Sequence, residues 1–416
     1  MRVLIFTYEF PPFKGGAGIY SRDLAVGLRT LGIEVHVLTG YAGDDGCQVN
    51  GVHIHILESN NTYVAQQRLC KLCIGLRFNI VLVTERRAQE DVARMPKGLF
   101  PYAVTLHGTE ILDYFGSRRA SLAVVHRRMA AFYERAGVCI AGSQATADLV
   151  GRVFPSVLRC VVVKYGIDRK RLPMAREEEV KSLRDSRIPS TKVVFCLGRL
   201  GLDKGQETLI RAFASVVRTC PEAWLLIGGI GPNRASLEAL RNSLGLGECV
   251  EFVGEIPAQA LPAYFALCEV FALTSKSENR WEGFGLVYLE AGHYGKPVIG
   301  GNEGGVPEAI AHMKSGVIVD PRDSDAVAAS IITLLTDRDR ARAMGEYGRQ
   351  RVQLYFNAAR MAQETVVHLQ AASAKQLDRL WLTDIRLRLW IVRCRFRRYI
   401  ERLYRLARRV MSWNRS

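Results

Sequence analysis

The sequence has no apolar run near the ~20 residues that a membrane-spanning helix requires anywhere in its 416 residues. The opening MRVLIFTYEFPP lacks the charged-then-apolar layout and small-residue cleavage site of a signal peptide. The expectation is therefore a protein of the reducing cytoplasm. Cysteine is present ten times but in no array, mostly inside apolar runs such as VCIAG and VVFCLG, where free thiols are usually buried. The lone CxxC, Cys70 to Cys73, has no second pair and no nearby histidine, so a four-ligand zinc site is not expected there. Nor is there the low hydrophobicity of a disordered chain, since hydrophobic content is 48% and charged content 24%.

A surplus of one charge sign is nearly missing from most of the chain. Residues 375–416 carry 13 Lys+Arg against 3 Asp+Glu, a net of +10, whereas residues 1–374 carry 44 against 38, a net of +6. The basic character belongs to a tail.

Strand-like and helix-like stretches alternate through the first 165 residues. RVLIFTY reads as a buried parallel strand. A glycine-rich loop follows, then IYSRDLAVGLRTLG, with apolar residues at helical spacing and Gly32 as a stop. EVHVLTG, VHIHIL, FNIVLVTE, YAVTLHG, GVCIAGS and CVVVKYG repeat the strand pattern. Between Asp168 and Lys192 the pattern breaks into a charged linker with a short helix, and it resumes with KVVFCLGRL. Alternation of this kind predicts an α/β chain with two doubly wound halves. Ligands bind such sheets beyond the carboxyl ends of the strands, so the cleft between facing halves is the expected site.

The stretch ENRWEGFGLVYLEAGHYGKP, residues 278–297, sets Glu282 and Glu290 eight residues apart around Gly283 and Gly285. Glycine lets backbone approach a ligand closely, and the helix that starts at Leu286 offers free N–H groups and a partial positive charge to a phosphate. Glu290, one turn in, can accept hydrogen bonds from a sugar diol. Upstream, GRLGLDKGQETL places Arg199 after a strand and Lys204 before a helix, and both side chains suit phosphate oxygens. Gly304 and Gly305 form another phosphate-compatible turn. In the first half, Gly15, Gly16 and Gly18 lie between strand and helix, as GGxG rather than the dinucleotide GxGxxG. His107 ends a strand, with Glu110 three residues on. Each feature alone also fits a plain structural reading: a capped helix, solvated loop cations, a strand-to-helix turn, a packed histidine.

Together, PPFKGGAGIY, TLHGTE, GRLGLDKG, GGIGP and above all EGFGLVYLEA with its E-x7-E spacing resemble the family 4 retaining glycosyltransferases of the GT-B fold. The likeness covers roughly residues 1–370. It implies two Rossmann-like domains facing across a cleft: an acceptor-side domain over 1–167, a linker over 168–191, a nucleotide-sugar domain over 192–355, and a helix over 356–374 crossing back to the first domain. By this resemblance Arg199 and Lys204 bind the donor diphosphate and Glu290 the ribose hydroxyls. Glu282 and the backbone N–H groups of Phe284, Gly285 and Leu286 hold the donor sugar and distal phosphate. Gly15 and Gly16 approach the same diphosphate from the facing domain, and His107 contacts the transferred sugar. No cofactor is implied beyond the UDP- or GDP-linked sugar, and no metal, because Arg199 and Lys204 supply positive charge. A sugar-nucleotide epimerase on the same fold is the rival enzyme.

The tail falls outside the resemblance. From Leu389, apolar residues recur at helical spacing with arginines on another face, and Trp381, Trp390 and Trp413 lie among them. The pattern predicts a helix over 375–416 lying in an anionic membrane interface at the cytoplasmic face. Its alternatives are packing on the enzyme itself or pairing with a second subunit. A lipid-linked glycan or polysaccharide precursor is then the expected acceptor. The rival from another class is a nucleic-acid binder acting through the basic tail, but the body carries no recognised nucleic-acid module, so nucleic acid is not an expected partner.

Overall fold

A computed structural model describes residues 1–12, 15–40, 48–112, 120–187, 192–277, 280–377, 385–397 and 399–400. The first half holds seven strands: β1 (Arg2–Phe6), β2 (Glu34–Thr39), β3 (His53–Ile56), β4 (Ile80–Val83), β5 (Tyr102–Leu106), β6 (Cys139–Ala141) and β7 (Cys160–Val162). They form one parallel sheet in the order β3-β2-β1-β4-β5-β6-β7. The second half holds β8 (Lys192–Leu197), β9 (Ala223–Gly228), β10 (Val250–Gly254), β11 (Val270–Leu273), β12 (Val298–Gly301) and β13 (Gly316–Val319), in the order β10-β9-β8-β11-β12-β13. In each sheet the winding reverses after three strands, when β4 returns to the other side of β1 and β11 to the other side of β8. This places the topological switch of each sheet at the carboxyl ends of β1 and β8, where the candidate loops emerge.

The central strands are buried except at their ends. Val3 to Phe6 and Val193 to Cys196 are all fully enclosed, as expected for sheets covered by helices on both faces. Helix Ala358–Leu377 leaves the second half and packs on helix Gly16–Thr30 of the first. Gly27 makes this possible, since a Cβ there would stand 2.4 Å from the Ala358 carbonyl oxygen. Ser373 Oγ then donates to the Asn79 carbonyl at 3.0 Å. The two chain crossings lie side by side, with Ile167 N donating to the Phe356 carbonyl at 2.9 Å.

The tail differs from expectation where it is described. A helix over residues 385–397 lies on the first half, burying Leu387, Trp390 and Cys394 in the same core as Leu69, Met95 and Phe132. Trp390, expected at a membrane interface, is instead 6% exposed. Its spacing from Leu387 and Cys394 (three and four residues) makes one continuous inward stripe. A second stripe stays outside: Leu389, Val392, Phe396 and Tyr399 are each 60–65% exposed. Trp381, Trp413, Arg398, Arg402, Arg405 and Arg409 lie outside the described residues. No helix among the described residues is long and apolar enough to cross a membrane.

Candidate active site

Arg199 follows β8, and Lys204 ends the short turn Leu202–Lys204 that leads into helix Gln206–Thr219. Gly205 joins turn to helix at φ 69°, and a Cβ there would stand 1.9 Å from the Thr274 carbonyl oxygen, so only glycine seats the turn this deeply. The consequence is a short reach from Lys204 to the E-x7-E loop. Lys204 Nζ lies 2.6 Å from Glu282 Oε2, which also accepts from Ser275 Oγ at 3.1 Å. Arg199 pairs with Asp203. The two expected phosphate ligands are thus held within the second half by carboxylates, poised beside the loop that opens helix Leu286–His293.

That helix begins at Gly285, φ 85°. Phe284 is 1% exposed and anchors the turn in the core, so the N–H groups at the helix start have a fixed direction. Gly304 and Gly305 pack on the same loop backbone to backbone. Gly305 N donates to the Glu282 carbonyl at 2.8 Å, and a Cβ on Gly305 would stand 2.0 Å from the Gly283 carbonyl oxygen.

Glu290 is buried and carries a partner that sequence reasoning did not foresee. Arg171, from the linker, places Nη2 2.6 Å from Glu290 Oε1 and Nε 3.0 Å from Asp23 Oδ2. Asp23 also receives Arg22 at 2.7 Å, and Arg22 reaches Asp168 at 2.7 Å. Burial works to lower the Arg171 pKa, but Glu290 and Asp23 outweigh it and hold the guanidinium charged. Burial raises the Asp23 pKa against the pull of Arg171. The network ties the first half, the linker and the second half together at the carboxylate expected to hold ribose. The signal for it was the cation run DRKR in the linker, but no spacing rule links Arg171 to residues 119 and 148 positions away.

His107 sits where β5 ends. Its Nε2 is 2.7 Å from the Thr84 carbonyl oxygen, which can only accept, so Nε2 carries the proton. Nδ1 is then the acceptor for the Tyr165 hydroxyl. Burial pushes the His107 pKa down to about 4, so the ring is neutral near pH 7. Both ring nitrogens are therefore engaged by protein. The His107 carbonyl faces the second half, where a Cβ on Gly283 would stand 2.2 Å from it.

Other contacts close the cleft. Trp281 Nε1 donates to Thr146 Oγ1 at 3.0 Å, and Thr109 Oγ1 donates to the Trp281 carbonyl at 3.1 Å. Glu308 accepts from Ala145 N at 3.2 Å and meets Lys164 Nζ at 3.2 Å. Gly108, φ 102°, leaves room for the Trp281 ring, which a Cβ would approach to 2.0 Å. Gly16 opens helix Gly16–Thr30 and has open space where a Cβ would stand, with no atom within 4 Å, whereas a Cβ on Gly15 would meet Glu9 Oε2 at 2.7 Å. A cavity of about 820 Å³ lies elsewhere, at the amino ends of the first sheet, lined by Met95, Phe100, Tyr102, Arg135 and Arg386. The chemistry-bearing residues are in the closed cleft, and the convergence of charges there outweighs cavity size.

Residues 14–171 match the model of glycosyltransferase family 4, and residues 180–351 match that of the glycosyl transferases group 1. The chain is 32% identical over 375 residues to the GDP-mannose-dependent alpha-(1-6)-phosphatidylinositol monomannoside mannosyltransferase of Mycobacterium tuberculosis, covering 84% of this chain and 93% of that protein. The chain belongs to glycosyltransferase family 4. Solved structures agree on the fold of this glycosyltransferase. Sucrose-phosphate synthase from Thermosynechococcus elongatus superposes with a TM-score of 0.73 at 22% identity, covering 90% of this chain and 99% of that one. HepE of Anabaena, in complex with UDP and glucose, gives 0.72 at 22% identity, covering 89% and 100%. Both are GT-B enzymes in architecture, so the two-sheet fold expected from the alternation is present here.

Proposed function

We propose that this glycosyltransferase moves mannose from GDP-mannose, with retention at the anomeric carbon, to a hydroxyl of a lipid-anchored glycan. The observation that carries the reading is Lys204 held 2.6 Å from Glu282 at the turn that starts the Leu286 helix. This sets cation, carboxylate and helix N-terminus on one short arc. The mannosyltransferase relative supports the choice of donor and of lipid acceptor.

Cleavage of the anomeric C–O bond leaves charge on the diphosphate. Arg199, Lys204 and the N–H groups of Phe284, Gly285 and Leu286 stabilise it as it grows, without a metal. Glu290 holds the ribose diol and Glu282 the sugar. Gly15 and Gly16 admit the phosphates from the facing half, and His107 contacts the transferred hexose. The acceptor proton passes to the leaving phosphate oxygen. Arg199 and Lys204 are the groups whose contact strengthens most between ground state and transition state.

The tail brings the enzyme to its acceptor. Leu389, Val392, Phe396 and Tyr399 face outward beside Arg388, Arg393 and Arg395, a pattern suited to the interface of an anionic membrane. Deleting the tail would also expose the core that Trp390 fills, so the informative variant is Leu389→Ser/Val392→Ser/Phe396→Ser. It should leave anionic vesicles, keep transfer to a water-soluble acceptor, and lose transfer to the lipid acceptor. Equal co-sedimentation of parent and variant with vesicles would remove the membrane part of the proposal. Donor choice is tested by thermal shift and by product formation with GDP-mannose, UDP-glucose and UDP-galactose. Turnover of a UDP-sugar but not GDP-mannose would overturn that choice. A β-linked product from the α-linked donor, read by NMR, would overturn retention.

A further inference from the structure

Four side chains on the outer two strands of the first sheet point to one place. Glu34 and His36 alternate along β2, and His53 and His55 along β3, so all four share a face. The parallel register sets His36 opposite His53. The rings of His36 and His53 stack at 4.5 Å. Glu34 Oε1 lies 3.0 Å from His36 Nε2, and the ligand atoms of Glu34, His36 and His53 all fall within 4.8 Å of one another.

We propose that Glu34, His36 and His53 bind a divalent transition ion of the zinc type, with His55 orienting His36. Two ligands each about 2.0–2.1 Å from zinc at a tetrahedral angle stand roughly 3.4 Å apart. The three candidate ligand atoms, within 4.8 Å of one another, need to draw in by about an ångström to reach that spacing. Two imidazoles and a carboxylate are a donor set that zinc accepts, leaving a fourth position to water. His36 Nδ1 is 2.9 Å from His55 Nε2, so His55 takes the outer position that a carboxylate, carbonyl or water fills behind most metal-bound histidines. Phe78 packs edge-on against His36 at 5.1 Å and walls the inner side of the site.

Arg2 works against the ion. Its Nε sits 2.8 Å from Glu34 Oε1, so it competes for the carboxylate. The same contact fixes Glu34 in place, and the second carboxylate oxygen remains for the metal.

The site lies at the amino ends of β2 and β3, whereas His107 and Thr84 lie at carboxyl ends of the same sheet. Its role is therefore a clasp. β3 is an edge strand hydrogen-bonded to β2, and an ion held by both strands fastens that edge.

The test uses tag-free full-length protein stripped of metal, titrated with Zn²⁺ and with Co²⁺. One equivalent of Zn²⁺ should bind and raise Tm, and Co²⁺ should give the visible absorption of a low-symmetry nitrogen–oxygen site. His53→Ala, at an exposed position, and Glu34→Gln should each abolish the Zn²⁺-dependent rise in Tm while leaving transferase turnover unchanged. Equal Zn²⁺ stoichiometry and Tm shift in parent and His53→Ala would overturn the proposal by assigning the ion to the thiols. So would a parent that takes up no Zn²⁺, which would leave a metal-free network of Glu34, His36 and His55.

Discussion

The two halves have the same winding but opposite surfaces at their switch points. In the second half, Lys204 meets Glu282 and Arg199 meets Asp203, so charge is concentrated and internally paired. In the first half, the corresponding strand ends present Gly15, Gly16 and a His107 whose ring nitrogens both serve protein partners. One sheet thus presents paired charges at its switch point, and the other presents open backbone and a histidine already held by protein partners. The difference shows that a shared fold does not divide the chemistry evenly. In the half with paired charges the cations are already partly desolvated by carboxylates, so under the proposed function an incoming diphosphate would replace carboxylates rather than water.

Four experiments test this contrast. The largest effect is expected at the buried charge network that joins both halves. Glu290→Ala strips Arg171 of a buried partner, and losing one member of such a pair costs about 3–5 kcal/mol. Denaturant unfolding should show that loss, and donor KM should rise more than kcat falls. A variant as stable as the parent would mean that Arg171 does not depend on Glu290.

Next, Lys204→Ala should lower kcat about 10²–10³-fold, as expected when a donor to developing charge is removed, with a smaller loss of Tm than Glu290→Ala because Glu282 keeps its Ser275 hydrogen bond. Arg199→Ala should behave alike. Unchanged turnover in either would move charge stabilisation out of the second half.

His107 tests the first half through pH. Its folded pKa of about 4 lies below the ordinary histidine value of 6.5. The unfolded chain therefore binds the extra proton first as pH falls, and stability present above pH 6.5 is lost down to pH 4, at up to about 1.4 kcal/mol per pH unit. Burial raises Glu85 to about 7, which acts in the opposite direction. The comparison is therefore parent against His107→Gln. The parent curve should fall more steeply between pH 6.5 and 4, and parallel curves would show that His107 titrates normally.

The smallest effect is expected at the seam. Trp281→Phe removes the hydrogen bond to Thr146 but keeps most of the ring, a loss of about 1 kcal/mol. Small-angle scattering without donor should show a more open particle, with donor restoring the parent profile. An unchanged profile would mean that the Trp281 bond does not hold the halves together.

Much of this was legible in residue order. Strands buried on both faces read as unbroken apolar runs, so the alternation through KVVFCLGRL and AWLLIGG declared two parallel sheets. The glycines of EGFGLVYLEA marked the loop where Glu282 would stand. The tail shows where reading stopped. Its apolar residues wrap nearly all round the helix, and nothing local says which stripe turns inward. Contact with the core around Leu69 and Phe132 selected Leu387, Trp390 and Cys394 and left Leu389, Val392 and Phe396 outside.

Residue order alone sets the fold class, the two glycine turns and the residue types at the candidate site, because these follow from hydrophobic period and backbone freedom over a few residues. The tertiary structure alone decided that Arg171 joins Asp23 to Glu290, that Lys204 meets Glu282, and that three histidines and a glutamate gather across β2 and β3. Those contacts join residues from 17 to 148 positions apart, and a charge finds its partner only after the strands and loops carrying both have been packed into place.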